Sequence, residues 1–147
     1  MAMKIKVDTV TLLAREWGRG APKVQDSIRE ELDEIGDLLV DEANKRAPFE
    51  SGELEISHSY QVTKDGLDRW NLSVTAGGVV NGVNVNDYAI VIHEGRGSSW
   101  NNLGPGSLAK NRKQKERVGE KFLERALIDN EELIESVLFD AIWRAFQ

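Results

Sequence analysis

Hydrophobic residues at Val24, Ile28, Leu32, Ile35, Leu39 and Ala43 recur every three or four positions, the spacing of one helix face. Between them stand Asp26, Glu30, Glu31, Asp33, Glu34, Asp37, Asp41 and Glu42. The pattern predicts an amphipathic helix over about 22–46, with Pro22 suited to its first turn. Pro48 ends it near Ala47, because the residue before a proline is disfavoured in helical geometry. A second stripe runs through Leu123, Ala126, Leu127, Leu133, Ile134, Val137, Leu138, Ala141, Ile142 and Ala145. Asp129-Asn130, with Glu132 close behind, offers a restart signal. The unbroken phase nevertheless predicts one helix over about 120–146, with Leu133 and Leu138 in the core. Leu12, Leu13 and Trp17 suggest a short helix over 9–17, closed by Gly18-Arg19-Gly20.

Strand patterns fill the middle. Residues 3–7 alternate, as do 54–63 (Leu54, Ile56, Tyr60, Val62) and 69–76 (Trp70, Leu72, Val74, Ala76). Asp65-Gly66 marks a turn, and Asn81-Gly82 is a strong two-residue hairpin signal leading to a strand over about 83–93. Residues 95–118, rich in Gly, Ser and Asn, read as one long loop, a length usually reserved for function or disorder. Its small apolar content predicts that it gains order only against a neighbouring subunit. The expected architecture is α+β: an antiparallel sheet of about four strands with two long helices packed against it, in a single domain over 1–147.

Charge adds a second pattern. The 147 residues carry a formal net charge of −6, against the basic balance usual in proteins devoted to gripping DNA. Yet residues 95–118 hold Arg96, Lys110, Arg112, Lys113, Lys115 and Arg117 against one acid, Glu116: a net +5 that leaves −11 elsewhere. The helix at 22–46 sets eight acids against Lys23, Arg29, Lys45 and Arg46. The chain has no cysteine, which excludes disulfides, thiolate metal sites and cysteine nucleophiles. Residues 1–7 have no signal-peptide pattern, and no run of ~18 apolar residues spans a membrane.

Candidate chemistry is sparse. A zinc hydrolase wants two histidines one helical turn apart beside a glutamate. His93-Glu94 has no second histidine at that spacing, and His58 stands alone. Ser51, Ser57 and Ser59 lack the flanking glycines of a nucleophile elbow. Gly77-Gly78 and Gly104-Pro105-Gly106 lack the Lys-Ser/Thr of a phosphate loop and read as turns. Trp100 beside the basic run offers a base-stacking surface, so a nucleic-acid-binding protein using the 95–118 loop is the alternative reading. No catalytic, cofactor or metal site is expected.

Three stretches, in order, carry a resemblance. Ala47-Pro48-Phe49-Glu50-Ser51-Gly52-Glu53-Leu54 matches the pattern Ala-Pro-x-x-(Thr/Ser)-Gly-x-Leu at a helix-to-strand junction. Tyr88-Ala89-Ile90-Val91-Ile92-His93-Glu94-Gly95 follows, and Phe122-Leu123-Glu124-Arg125-Ala126-Leu127 opens the last helical region. Over about residues 24–146 the chain resembles the neck, or tail-completion, proteins (head–tail joining, minor capsid) of long-tailed bacteriophages. It departs from them in Glu53 and Glu55, where basic residues are common, in Arg96, where threonine commonly follows the glycine, and in a longer loop. The resemblance implies a virion structural protein, made in the host bacterial cytoplasm and assembled into a homo-oligomeric ring between portal and tail after the capsid matures. The implied partners are other copies of itself and the adjoining portal-side and tail-side proteins, with DNA in the lumen as a further candidate and no membrane. Arg96, Trp100, Lys110, Arg112, Lys113, Lys115 and Arg117 are the expected interface residues.

Overall fold

A computed structural model of the chain describes residues 3–7, 22–65, 69–95 and 103–147. The helix expected at 9–17, its break at 18–20, Gly66 of the expected turn, Arg96 and Trp100 lie outside the described residues. In chain order the elements are β1 (Met3–Val7), α1 (Pro22–Arg46), α2 (Glu53–Ile56), β2 (Ser59–Asp65), β3 (Arg69–Ala76), β4 (Val79–Val80) and β5 (Val83–Asn84). Then come α3 (Asn86–His93), α4 (Pro105–Lys113), α5 (Phe122–Asp129) and α6 (Glu131–Phe146). The described residues form a mixed α+β structure.

Helix α1 is the spine. Its stripe Val24, Ile28, Leu32, Ile35, Leu39 and Ala43 is buried throughout, as the periodicity predicts. Each large side chain in it contributes about 1.5–3 kcal/mol on leaving water. The main sheet packs on one side of α1, and α5 and α6 pack on another. The sheet is antiparallel in the order β1-β3-β2, with Ile5 and Tyr60 both opposite Val74. Alternation in β3 buries Trp70, Leu72, Val74 and Ala76 in a core shared with α1. The Trp70 indole N–H donates to Gln25 Oε1 at 2.7 Å and ties the sheet to the start of α1. Gly36, mid-helix, costs about 1 kcal/mol of helix propensity relative to alanine. It lets the Tyr60 ring lie directly on the α1 backbone, where a Cβ would collide with it. The Asn81-Gly82 signal is met: both residues have positive φ, 50° and 80°, and join β4 to β5.

Several expectations are corrected. Among the described residues the main sheet has three strands, and β4–β5 is a separate two-stranded ribbon. The strand expected over 54–63 begins only at Ser59. A single helical turn, α2, precedes it and buries Leu54 while leaving Ile56 exposed, so the apparent alternation there was false. The strand expected over 83–93 is a two-residue strand followed by α3. Tyr88-Ala89-Ile90-Val91-Ile92 is a short apolar run that period alone cannot assign. In the structure Val85, Ala89 and His93, four apart, face inward, while Ile90 and Val91 face out. Within the expected loop, Gly104-Pro105-Gly106 opens α4, with Pro105 at its first position.

The last helix is broken at Asn130. The Asn130 amide donates to Ala126 O at 2.8 Å and to Glu42 on α1 at 3.3 Å, spending the side chain on an anchor. Ile134, Leu138, Ala141 and Ile142 then bury on α1, whereas Leu133 is half exposed, against expectation. Neither is α6 packed principally on the sheet; it lies on α1.

Chemical denaturation separates the two leucines. Leu138→Ala is expected to cost about 2–5 kcal/mol, the range for emptying a buried leucine site. Leu133→Ala is expected to cost less than about 0.5 kcal/mol.

Candidate functional site

The last carbonyls of a helix lack intrahelical partners. At the end of α1 they are met almost entirely from one later segment. Lys110 Nζ donates to Asn44 O and to Ala47 O, the latter at 2.8 Å, and pairs with Glu55. Gln114 Nε2 donates to Lys45 O, and the Gly119 N–H donates to Arg46 O at 2.9 Å. A cation at this end also complements the helix dipole. Lys110 is therefore turned inward, which corrects its assignment to the interface. The same bonds tie 110–119 to the end of α1 within the single chain.

Beside the cap lies a partly buried ionic network, with Arg46 and Glu42 inside and Asp129 at the surface. Arg46 donates to Glu42 Oε2 at 2.7 Å, to Glu42 O at 2.9 Å and to Asp129 Oδ2 at 2.9 Å and 3.1 Å. Burial alone raises the Glu42 pKa, but hydrogen bonds from Lys45, Arg46 and Asn130 outweigh it and hold the carboxyl down to about 2. Burial likewise works against the Arg46 charge, and Glu42 and Asp129 overcome it, leaving its pKa raised. The network clamps the end of α1 to the α5–α6 break.

The second and third stretches singled out in the sequence meet at Phe122, beside His58, which follows the first. Its ring lies 5.4 Å from that of His58 and 5.0 Å, edge-on, from that of His93. Both imidazoles are buried, and neither Nε2 has a hydrogen-bond partner among the described residues. His58 Nδ1 contacts Asn44 Oδ1 on α1, and His93 Nδ1 contacts Glu94 at 3.1 Å. Burial, helped by the nearby Lys110 charge, lowers the His58 pKa to about 4. The Lys121 N–H donates to His93 O at 2.7 Å, and its ammonium pairs with Glu94 at 2.8 Å. Arg125 braces the approach to α5 through Glu120 O and Arg117 O, both at 2.9 Å.

The other residues of these stretches have structural places. Ala47, Leu54, Ala89, Leu123 and Ala126 are buried, and Leu127 packs against the same core. Gly52 takes a left-handed φ of 96°, the turn that starts α2, and Gly95 closes α3 with φ 76°. Ser51 is exposed and bonded to Glu53. Pro48, Ser51, Gly52, Leu54 and Tyr88 line an open cleft of about 770 Å³ with Phe49, Glu50, Glu53, Val83, Ile92 and residues 103–107. Burial, then the Glu53 and Glu50 charges, raises the Tyr88 pKa. The cleft's carboxylates are Glu50 and Glu53, and its Ser107 hydroxyl is tied to the Phe49 backbone at 2.9 Å and 3.3 Å. No histidine lines it to serve as a base for a hydroxyl nucleophile. Among the described residues, no group of three His, Asp or Glu side chains is placed to hold a metal ion, and no helix is long and apolar enough to cross a membrane.

Arg112, Lys113, Lys115 and Arg117 are exposed. The sequence reading missed the roles of Asn44, Arg46 and Gln114, polar groups whose use becomes evident only when distant segments meet, and set aside the restart signal at Asp129-Asn130 where the break falls. Comparison with protein-family models, curated proteins and solved structures finds no match to this chain.

Two measurements test this account of the site. His58 has its pKa depressed in the folded state, from 6.5 to about 4, so protonation opposes folding. Its contribution to stability is complete above pH 6.5 and is lost as pH falls toward 4, a loss of about 3 kcal/mol on the scale of one pKa unit to 1.36 kcal/mol. Urea titrations across this window are expected to show that slope, flattened in His58→Gln; an unchanged slope would place the titration elsewhere. Separately, Lys110→Ala is expected to cost about 1–3 kcal/mol by exposing unmet carbonyls, while Arg112→Ala stays within about 0.5 kcal/mol.

Proposed function

We propose that the chain is a structural subunit of a bacteriophage neck, one of several copies forming a ring that joins the DNA-filled head to the tail. The observation that carries the reading is that Phe122, in the third family-like stretch, packs on His93 of the second and on His58, four residues beyond the end of the first. Lys121, next to Phe122 in the chain, bonds the His93 carbonyl. Segments far apart in sequence thus make one junction at the end of α1, and their residues act by packing, turning and capping. The mechanism is association: exposed charged and apolar faces bind neighbouring copies and the portal-side and tail-side proteins. Which ring of the neck it forms, and whether DNA passes against it, belong to the same proposal.

A second reading rests on Arg112, Lys113, Lys115 and Arg117, which stand exposed within six residues of chain. Used on DNA, they give an affinity that falls steeply with salt.

Deleting the coding sequence from the phage genome that carries it, then imaging lysates by electron microscopy, tests the neck reading. Filled heads and separate tails, rejoined when the protein is supplied from a plasmid, are expected. Joined, infectious particles from the deletion would overturn it.

A further inference from the structure

Two exposed faces of the molecule complement each other. On α4, Leu108 is 45% exposed and shares its outward face with Arg112 and Lys113, with Lys115 just beyond. None of these three cations makes an ion pair among the described residues; the cation of this helix that does is the inward Lys110. On α6, Leu133, Phe139 and Trp143 are 50%, 47% and 53% exposed on the side turned from α1. Exposed Glu132, Glu135 and Asp140 interleave them, with no ion pair among the described residues. One face is an apolar knob with a basic rim. The other is an apolar stripe with an acidic rim.

From this we infer that the outward face of α4 on one copy docks on the outward face of α6 on the next copy. The inference rests on the ring reading above and names the surfaces that make the ring. Opposite rims select the partner and the register, and the apolar centre supplies the driving force, as in protein interfaces generally. The acidic outer face of α1, the other surface of suitable sign, is a poorer partner. Among its described residues it exposes no large hydrophobic side chain. Part of its charge is already spent, in Lys45–Asp41 at 3.2 Å and Arg144–Glu31 at 2.7 Å. Exposed charge pairs without apolar burial contribute little and are screened by salt. Because the two faces differ, each copy gives one and receives the other. This is a head-to-tail contact that closes into a ring when the rotation permits.

Sedimentation of the purified natural chain and three triple variants tests the pairing, with circular dichroism confirming each fold. The basic-face variant is Arg112→Glu, Lys113→Glu and Lys115→Glu. The acidic-face variant is Glu132→Lys, Glu135→Lys and Asp140→Lys. The α1 variant is Glu30→Lys, Glu34→Lys and Asp37→Lys. Each of the first two alone is expected to self-associate at least roughly ten-fold more weakly than the natural chain. An equal mixture of the two regains association, since each then meets an opposite rim; this recovery also shows that both are folded. The α1 variant associates like the natural chain, and Trp143→Ala weakens association at every salt concentration. Loss of association in the α1 variant, with the acidic-face variant unaffected, would overturn the pairing and leave the ring reading standing. So would a basic-face variant that associates normally but no longer binds DNA. A natural chain that stays monomeric at all concentrations would remove both the pairing and the ring reading.

Discussion

The end of helix α1 sets the terms for everything built after it. Four carbonyls there face the protein, and leaving even one buried and unpaired costs about 1–3 kcal/mol. Ala43 O is met by the Ala47 N–H at 2.9 Å, and the next four are met by Lys110, Gln114 and Gly119. Satisfying them draws the whole 105–119 segment back across the end of α1. That return delivers Phe122 to its place between His58 and His93 and fixes where α5 begins. The clamp of Arg46 on Glu42 and Asp129 then sets where α5 stops and α6 starts.

This use of polar groups bears on function. The side chains best placed for chemistry are consumed by structure: His58 and His93 pack on a phenyl ring, and Lys110 caps a helix. What the molecule offers outward is Arg112 and Lys113 of α4, the exposed acids and aromatics of α6, and an open cleft under the α1–α2 junction. Such a division, with polar groups tied up inside and exposed surfaces of opposite character, suits a protein that acts by being held between others. It supports the neck reading by physical argument alone.

Long periodic segments were legible in the sequence. Helix α1 runs from Pro22 to Arg46, as its stripe and its two prolines predict, and β3 follows its alternation from Arg69 to Ala76. The β4–β5 turn was legible because Asn-Gly tolerates positive φ at both positions. Errors fell where two periods fit the same few residues. Tyr88–Ile92 is rich in β-branched side chains, yet helix α3 buries Val85, Ala89 and His93 on one face, and tertiary packing decided. The unbroken apolar phase past residue 126 concealed the Asn130 break, because Leu133 matches the pattern while facing solvent. The capping role of Lys110 was not legible at all. Its partners are more than 50 residues away, and a lysine in a basic run looks the same whether it points in or out.

The central claim is that this chain works by assembly, as a ring around the axis between head and tail. Cryo-electron microscopy of the intact particle's neck tests it most directly. The account predicts a closed ring of density into which α1, the β1-β3-β2 sheet and the α5–α6 pair fit as one repeating unit, with the α4 face of each copy against the α6 face of the next. A complete neck in which every ring is filled by other chains, with this one absent from the particle, would contradict it.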